Sequence, residues 1–157
     1  MPILEKDLSM ARTSWGNGLL EISKSFETDG IEMARKVAGN MLDTLYGFDL
    51  GQVLFKPTLS GGSQTFRTTK EGALSYYTGR NSAYPDDGGF GIMFWREFHS
   101  NTSAIFIDDT VAMWMGSVTL IDRNGQVTKV DKSWCYKLDD SGNLRIMLHH
   151  SSLPYSL

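Results

Sequence analysis

The second half of the chain is an almost unbroken succession of strand-forming segments. Stretches near residues 91–99, 103–108, 110–122, 126–138 and 143–152 are rich in Val, Ile, Phe, Trp and Met, residues that suit a pleated, half-buried surface. Turn chemistry separates them: Asn101, Arg123-Asn124-Gly125-Gln126 and Asp139-Asp140-Ser141-Gly142-Asn143. Asn124-Gly125 is a strong signal for a two-residue hairpin. Strands this close in sequence pair antiparallel, as a meander, and the apolar face of a meander has to be covered by something else.

The first half supplies the cover. Over residues 4–26, Leu8, Trp15, Leu19, Ile22 and Phe26 fall near helical spacing, with Gly16 and Gly18 predicting a break. A second helix shows more clearly in Ile31, Ala34, Val37, Ala38, Met41, Leu42 and Leu45, with Thr28 and Asp29 to cap its start and Gly47 to end it. A strand over roughly residues 50–58 and a Gly61-Gly62-Ser63 loop follow. Thr68-x-x-Glu71 reads as a capping box opening a short third helix through Tyr77, and Tyr84-Pro85-Asp86-Asp87-Gly88-Gly89 marks a loop. The expected class is α+β, with N-terminal helices packed on a strongly curved antiparallel sheet. A conical hollow lies between the two layers. This order of elements resembles the nuclear transport factor 2-like fold, a cone-shaped barrel.

With 157 residues and no repeat, linker or low-complexity segment, residues 1–157 read as a single domain. A net charge of -3 offers no basic footprint, so nucleic acid is not an expected partner. One cysteine, Cys135, excludes an intrachain disulfide and suits a reducing compartment. No stretch approaches the roughly 20 apolar residues that span a bilayer, and the N-terminus shows no secretory pattern. No membrane association is expected, and the expected compartment is the cytoplasm.

The last strand ends His149-His150-Ser151-Ser152-Leu153-Pro154. Adjacent histidines invite a metal, but successive side chains of a strand point to opposite faces and cannot easily share one ion. His99 is the only other histidine and has no spacing to recommend it, so no metal is assigned. Strict alternation places Leu144, Ile146, Leu148, His150 and Ser152 on one face, and Arg145, Met147, His149, Ser151 and Leu153 on the other. Both faces are largely apolar, which predicts cover on both sides, the convex one by a dimer partner. There is no nucleophile elbow, and Gly88-Gly89-Phe90-Gly91 opens no helix.

The ending resembles the association-domain branch of this fold, named from calcium/calmodulin-dependent protein kinase II. Three further blocks narrow the likeness. They are Val53-Leu54-Phe55-Lys56-Pro57-Thr58, Phe66-Arg67-Thr68-Thr69-x-Glu71-Gly72-Ala73-Leu74-Ser75-Tyr76-Tyr77 and Tyr84-Pro85-Asp86-Asp87-Gly88-Gly89-Phe90. Together, over residues 35–155, they resemble the iota class of carbonic anhydrases, in particular its short bacterial and cyanobacterial members. The resemblance implies reversible hydration of carbon dioxide to bicarbonate in a dimer, at a metal-free and cofactor-free cluster of hydroxyls. Carried across, the catalytic set is Thr58, Tyr76 and Ser151, with Tyr77 and Ser152 as neighbouring alternatives. Tyr77, His149, Ser152 and Trp114 are the expected substrate-binding residues, and Phe94, Trp95 and Met113 are further candidates for an apolar wall.

Two mechanisms remain open at this level. Tyr76 acts as a phenolate base, which needs its pKa brought down from about 10. Alternatively, the hydroxyls only orient water and stabilise the developing bicarbonate. His149, on the face of Ser151, is a candidate proton relay. Two other readings compete: a non-catalytic association or small-ligand-binding domain, and a different pocket enzyme of the same fold, such as an isomerase.

Overall fold

The computed structural model describes residues 2–157. Helix α1 (Glu5–Asp29) and helix α2 (Ile31–Leu45) form an antiparallel pair. Gly30, at φ 88°, ends the first and starts the second. Strand β1 (Leu54–Lys56), helix α3 (Lys70–Thr78) and then the long strands β2 (Trp95–Ile107), β3 (Val111–Asp122), β4 (Val127–Leu138) and β5 (Leu144–Ser152) follow. Five strands form one open sheet in the order β1-β5-β4-β3-β2. The sheet is mixed, not purely antiparallel, because β1 pairs parallel with β5. Helices and sheet enclose a core that includes Leu8, Leu19, Leu42, Phe55, Trp114, Trp134 and Tyr136.

Helix α1 is continuous through Gly16 and Gly18. These glycines are contact points: a Cβ at Gly16 would enter the Phe98 ring, and one at Gly18 would meet Met41 Sδ at 2.7 Å. Close layer packing, not helix breaking, explains them. Thr28 and Asp29 lie in the last turn of α1 instead of capping α2, with Thr28 Oγ1 donating to the Lys24 carbonyl. Gly47 lies one residue beyond the α2 cap, Tyr46, and packs on Met147. The α3 cap is Thr69, one residue later than the expected box, and its Oγ1 accepts from Gly72 N at 3.2 Å.

The expected breaks within the sheet also move. Asn101 sits inside β2, which runs without a turn and absorbs irregularities as bulges at Arg96 and Ser103. Asn124-Gly125 does not make the two-residue hairpin. Asp122 accepts from Gly125 N, only Gly125 takes positive φ (78°), and the Asp122 carboxylate accepts from the amides of Asn124 and Gln126. This is a type I turn followed by a left-handed glycine. The same arrangement recurs at Asp139 and Gly142. In β5 the register against β4 shifts between Cys135↔Leu148 and Tyr136↔Ile146. That extra residue breaks the strict alternation, so Ile146 shares the inner face with His149 and Ser151. His149 and Ser151 are buried and His150 is exposed, on opposite faces as alternation requires.

Candidate active site

The parallel pairing of β1 with β5 builds the site. Lys56 stands opposite His150, so Thr58, two residues beyond, reaches the end of β5. There Thr58 Oγ1 and Ser151 Oγ share a hydrogen bond of 2.6 Å, joining residues 93 apart in sequence. Behind them lies a small recess of about 10 Å³, on the order of the room one water needs. Its polar wall is Thr58, Tyr76, Tyr77, Lys132, His149 and Ser151; Trp15, Phe55, Pro57 and Phe90 complete it. No carboxylate borders it.

Helix α3 delivers two phenols. Tyr76 OH accepts from Leu59 N at 3.2 Å. Burial pushes its pKa well up, against hydrogen bonds from Leu59 and Thr58 that favour the phenolate. A phenolate base at Tyr76 is therefore disfavoured. Tyr77 OH instead meets Tyr46 OH at 2.7 Å and Trp15 Nε1 at 3.2 Å, deeper in the core. Tyr76 and Tyr77 both line the cavity, but it is Tyr76 that lies on the Thr58 side.

Two of the expected residues are placed elsewhere. Ser152 faces the outer side of the sheet with His150, in a groove bordered by Met115 and Asp131. Trp114 packs in the core beside Trp134, at 5.4 Å between ring centroids, and its Nε1 donates to Thr102 Oγ1. It is one strand too far away to touch the cavity. Of the other wall candidates, Met113 lies half-exposed on the outer face, Phe94 lies beneath the Arg123 guanidinium, and Trp95 supports Phe90 by donating to its carbonyl.

His149 is held on all sides. Phe55 stacks on it at 4.7 Å, and Trp15, Trp134 and Tyr46 surround it. Its Nδ1 meets Tyr46 OH at 2.8 Å and its Nε2 meets Lys132 Nζ at 3.0 Å. Burial, with Lys132 beside it, holds its pKa well below the ordinary value, so the ring is neutral. Both ring nitrogens are engaged within the protein. Among the described residues, no three His, Cys, Asp or Glu side chains converge.

Lys132, Trp15, Tyr46 and Phe55 were absent from the sequence-based set. Lys132 is buried on β4, with Nζ 3.0 Å from Ser151 Oγ and 4.6 Å from the centre of the Trp15 ring. Burial, with Lys56 nearby, brings its pKa down to about 7. A signal was present: Val130, Lys132, Trp134 and Tyr136 alternate along one face. A loop brace lies beside the cavity. Arg67 makes two bonds of 2.7 Å to Asp87, which also accepts from Ser75 Oγ, and the Arg67 guanidinium covers the Tyr84 ring.

Over residues 6–153 the sequence matches the profile of the metal-independent carbonic anhydrases. The chain belongs to this family. A metal-independent carbonic anhydrase from Nostoc sp. (strain PCC 7120) is 44% identical over 153 residues, covering 98% of this chain and 75% of that one. The crystal structure of an iota-carbonic anhydrase from a cyanobacterium, complexed with bicarbonate, is 43% identical with a TM-score of 0.98, covering 99% of this chain and 95% of that one. A protein from Xanthomonas campestris, described as a calcium/calmodulin-dependent protein kinase II association domain, is 20% identical with a TM-score of 0.54, covering 96% and 84%. That last likeness is one of fold alone. The sequence blocks thus point to the family that the comparisons show.

Proposed function

We infer that this member of the carbonic anhydrase family hydrates carbon dioxide reversibly to bicarbonate where Thr58, Tyr76 and Ser151 meet, the recess seating the attacking water and carbon dioxide arriving past Tyr76 and Phe90. The observation that carries this reading is the Thr58–Ser151 hydroxyl pair, facing a small recess with a lysine and no carboxylate on its wall. The wall offers carbon dioxide apolar contacts from Phe55, Pro57 and Phe90. It offers the anionic product hydroxyl donors fixed before charge develops, with the Lys132 amine beside them. Tyr76 and Phe90, stacked at 5.6 Å, divide this cavity from an outer depression of about 300 Å³ that Leu59 and Met93 line, which we read as the entry for gas. An isomerase working by carboxylate proton transfer finds no acid on this wall.

The test is stopped-flow hydration of carbon dioxide by the purified chain, with and without a strong chelator. Thr58→Val and Tyr76→Phe each remove one donor, for an expected loss of about 10²-fold. Unchanged rates in both variants would sink the assignment. A non-catalytic association module would show no turnover at all.

We also propose one domain, in the cytoplasm, that pairs with a second copy through the outer face of the sheet. The half-buried free thiol of Cys135 suits a reducing compartment, and among the described residues no helix is long and apolar enough to cross a membrane. The dimer rests on one row of cross-strand partners, Phe106, Met113, Cys135, Leu148 and Leu54, which runs across all five strands of that face. Phe106, Met113 and Leu54 are exposed, in an apolar band that a twofold-related copy would cover.

A further inference from the structure

We propose that Lys132, as the neutral amine, is the base of the reaction, accepting through Ser151 the proton that the attacking water loses. The proposal rests on the carbonic anhydrase reading of the cavity. Hydration needs such a group, because the O–C bond forms as a water O–H bond breaks and the π electrons of one C=O pass to the oxygen that becomes anionic. The proton must end on something in reach. The other titratable candidates on the wall are poorly suited: Tyr76 and Tyr77 are protonated phenols whose burial opposes ionisation, and His149 is neutral with both nitrogens already engaged.

Lys132 Nζ lies 3.0 Å from Ser151 Oγ, and Ser151 Oγ lies 2.6 Å from Thr58 Oγ1. Water bonded to the hydroxyl pair passes a proton to Ser151 Oγ as Ser151 passes its own to Nζ. The resulting ammonium is accommodated in place. His149 Nε2 accepts one N–H and Ser151 Oγ another, while the rings of Trp15 and Trp134 lie 4.6 and 5.5 Å from the nitrogen. Water refilling the cavity then carries the proton out. The groups facing Lys132 are His149 from β5, Lys56 from β1, and Tyr76 and Tyr77 from α3; α1 presents Trp15. None is an anion. Desolvation and the positive charge of Lys56 therefore both favour the free amine, and burial brings its pKa to about 7. His149 is a positioning residue here: with its proton on Nδ1, toward Tyr46, it keeps Nε2 as an acceptor for the ammonium.

The experiment measures kcat/KM for hydration from pH 6 to 9 in the wild type, Lys132→Arg and Lys132→Met, beside a titration of the Lys132 side chain by NMR of lysine-labelled wild-type protein. The wild-type rate should rise with pH about a midpoint near 7, matching the NMR midpoint. Both variants should lose on the order of 10²-fold or more and the pH-dependence with it. Arginine retains the charge and cannot act as base, so a Lys132→Arg enzyme within about threefold of wild type, with the same profile, overturns the proposal. So does an ammonium signal that persists to pH 9, which needs no variant to fold. A wild type with no hydration activity would fail the functional reading itself, whereas an active enzyme indifferent to Lys132 fails this proposal alone.

Discussion

Replacing Asp87 with asparagine tests whether a buried ion pair shapes the rim of the cavity. The side chains of Arg67 and Asp87 are 3% and 4% exposed, with two bonds of 2.7 Å between them, and Asp87 also accepts from Ser75 Oγ at 2.6 Å. Removing one partner of a buried pair costs about 3–5 kcal/mol, because a charge remains that nothing compensates. In Asp87→Asn the guanidinium keeps the carbonyls of Gln64 and Gly72 and the face of Tyr84, which holds the expected loss near the lower end, about 3 kcal/mol. For a chain of this length that corresponds to a fall in Tm of roughly 6–12 °C. The assay is urea denaturation followed by tryptophan fluorescence, alongside hydration kinetics. The residue three positions on is Phe90, a wall of the cavity, so activity should fall as well, through loss of packing against Tyr76. A stability loss below about 1 kcal/mol, the level of an exposed pair, would refute the reasoning.

Stability should rise between pH 7 and about 10. The folded chain disfavours charge on Lys132, whose pKa of about 7 lies below the ordinary 10.5; the unfolded chain therefore binds more protons across that interval, and the penalty fades as pH rises. Above about pH 10 the buried phenols of Tyr46, Tyr76, Tyr77 and Tyr136 reverse the slope, since the unfolded chain releases protons that the folded chain retains. Urea midpoints that stay flat from pH 7 to 9.5 would count against this. Gly116→Ala should cost about 1–3 kcal/mol or more, because its Cβ would enter the Asn101 carbonyl and the Trp114 ring; calorimetry reads the loss. Met113→Lys, in the outer apolar row, should shift the chain toward monomers in sedimentation velocity while its hydration rate per chain persists. Hydration should also survive a strong chelator, and loss restored by added zinc would contradict the metal-free site.

What the sequence disclosed divides along a physical line. Periodicity located the helices and most of the strands, because burial of one face imposes it. It misread positions whose reason lies in another element: Gly16 is small because Phe98 sits over it, and Asn101 makes no turn because it pairs with Ser117 of β3. Resemblance singled out Thr58, Tyr76 and Ser151, and the fold brings all three to one cavity. Ser152 and Trp114 went astray for different reasons. Strand alternation sends Ser152 outward, while Trp114 faces inward but is separated from the cavity by Trp134. Lys132 escaped notice because a lysine in a strand ordinarily faces solvent; only its phase with Trp134 and Tyr136 indicated otherwise.

The parallel seam between β1 and β5 has a consequence in time. β1 has β5 as its only neighbour in the sheet, and the Thr58–Ser151 bond spans 93 positions of sequence. The antiparallel hairpins β2–β3, β3–β4 and β4–β5 close over short loops, whereas this seam waits until β5 has been made. During synthesis the helices and the central hairpins are available to fold while the hydroxyl pair does not yet exist. If that pair is the catalytic site proposed above, competence is one of the last properties the chain acquires, and a partly folded product in which residues 144–152 are not yet in place lacks the pair altogether.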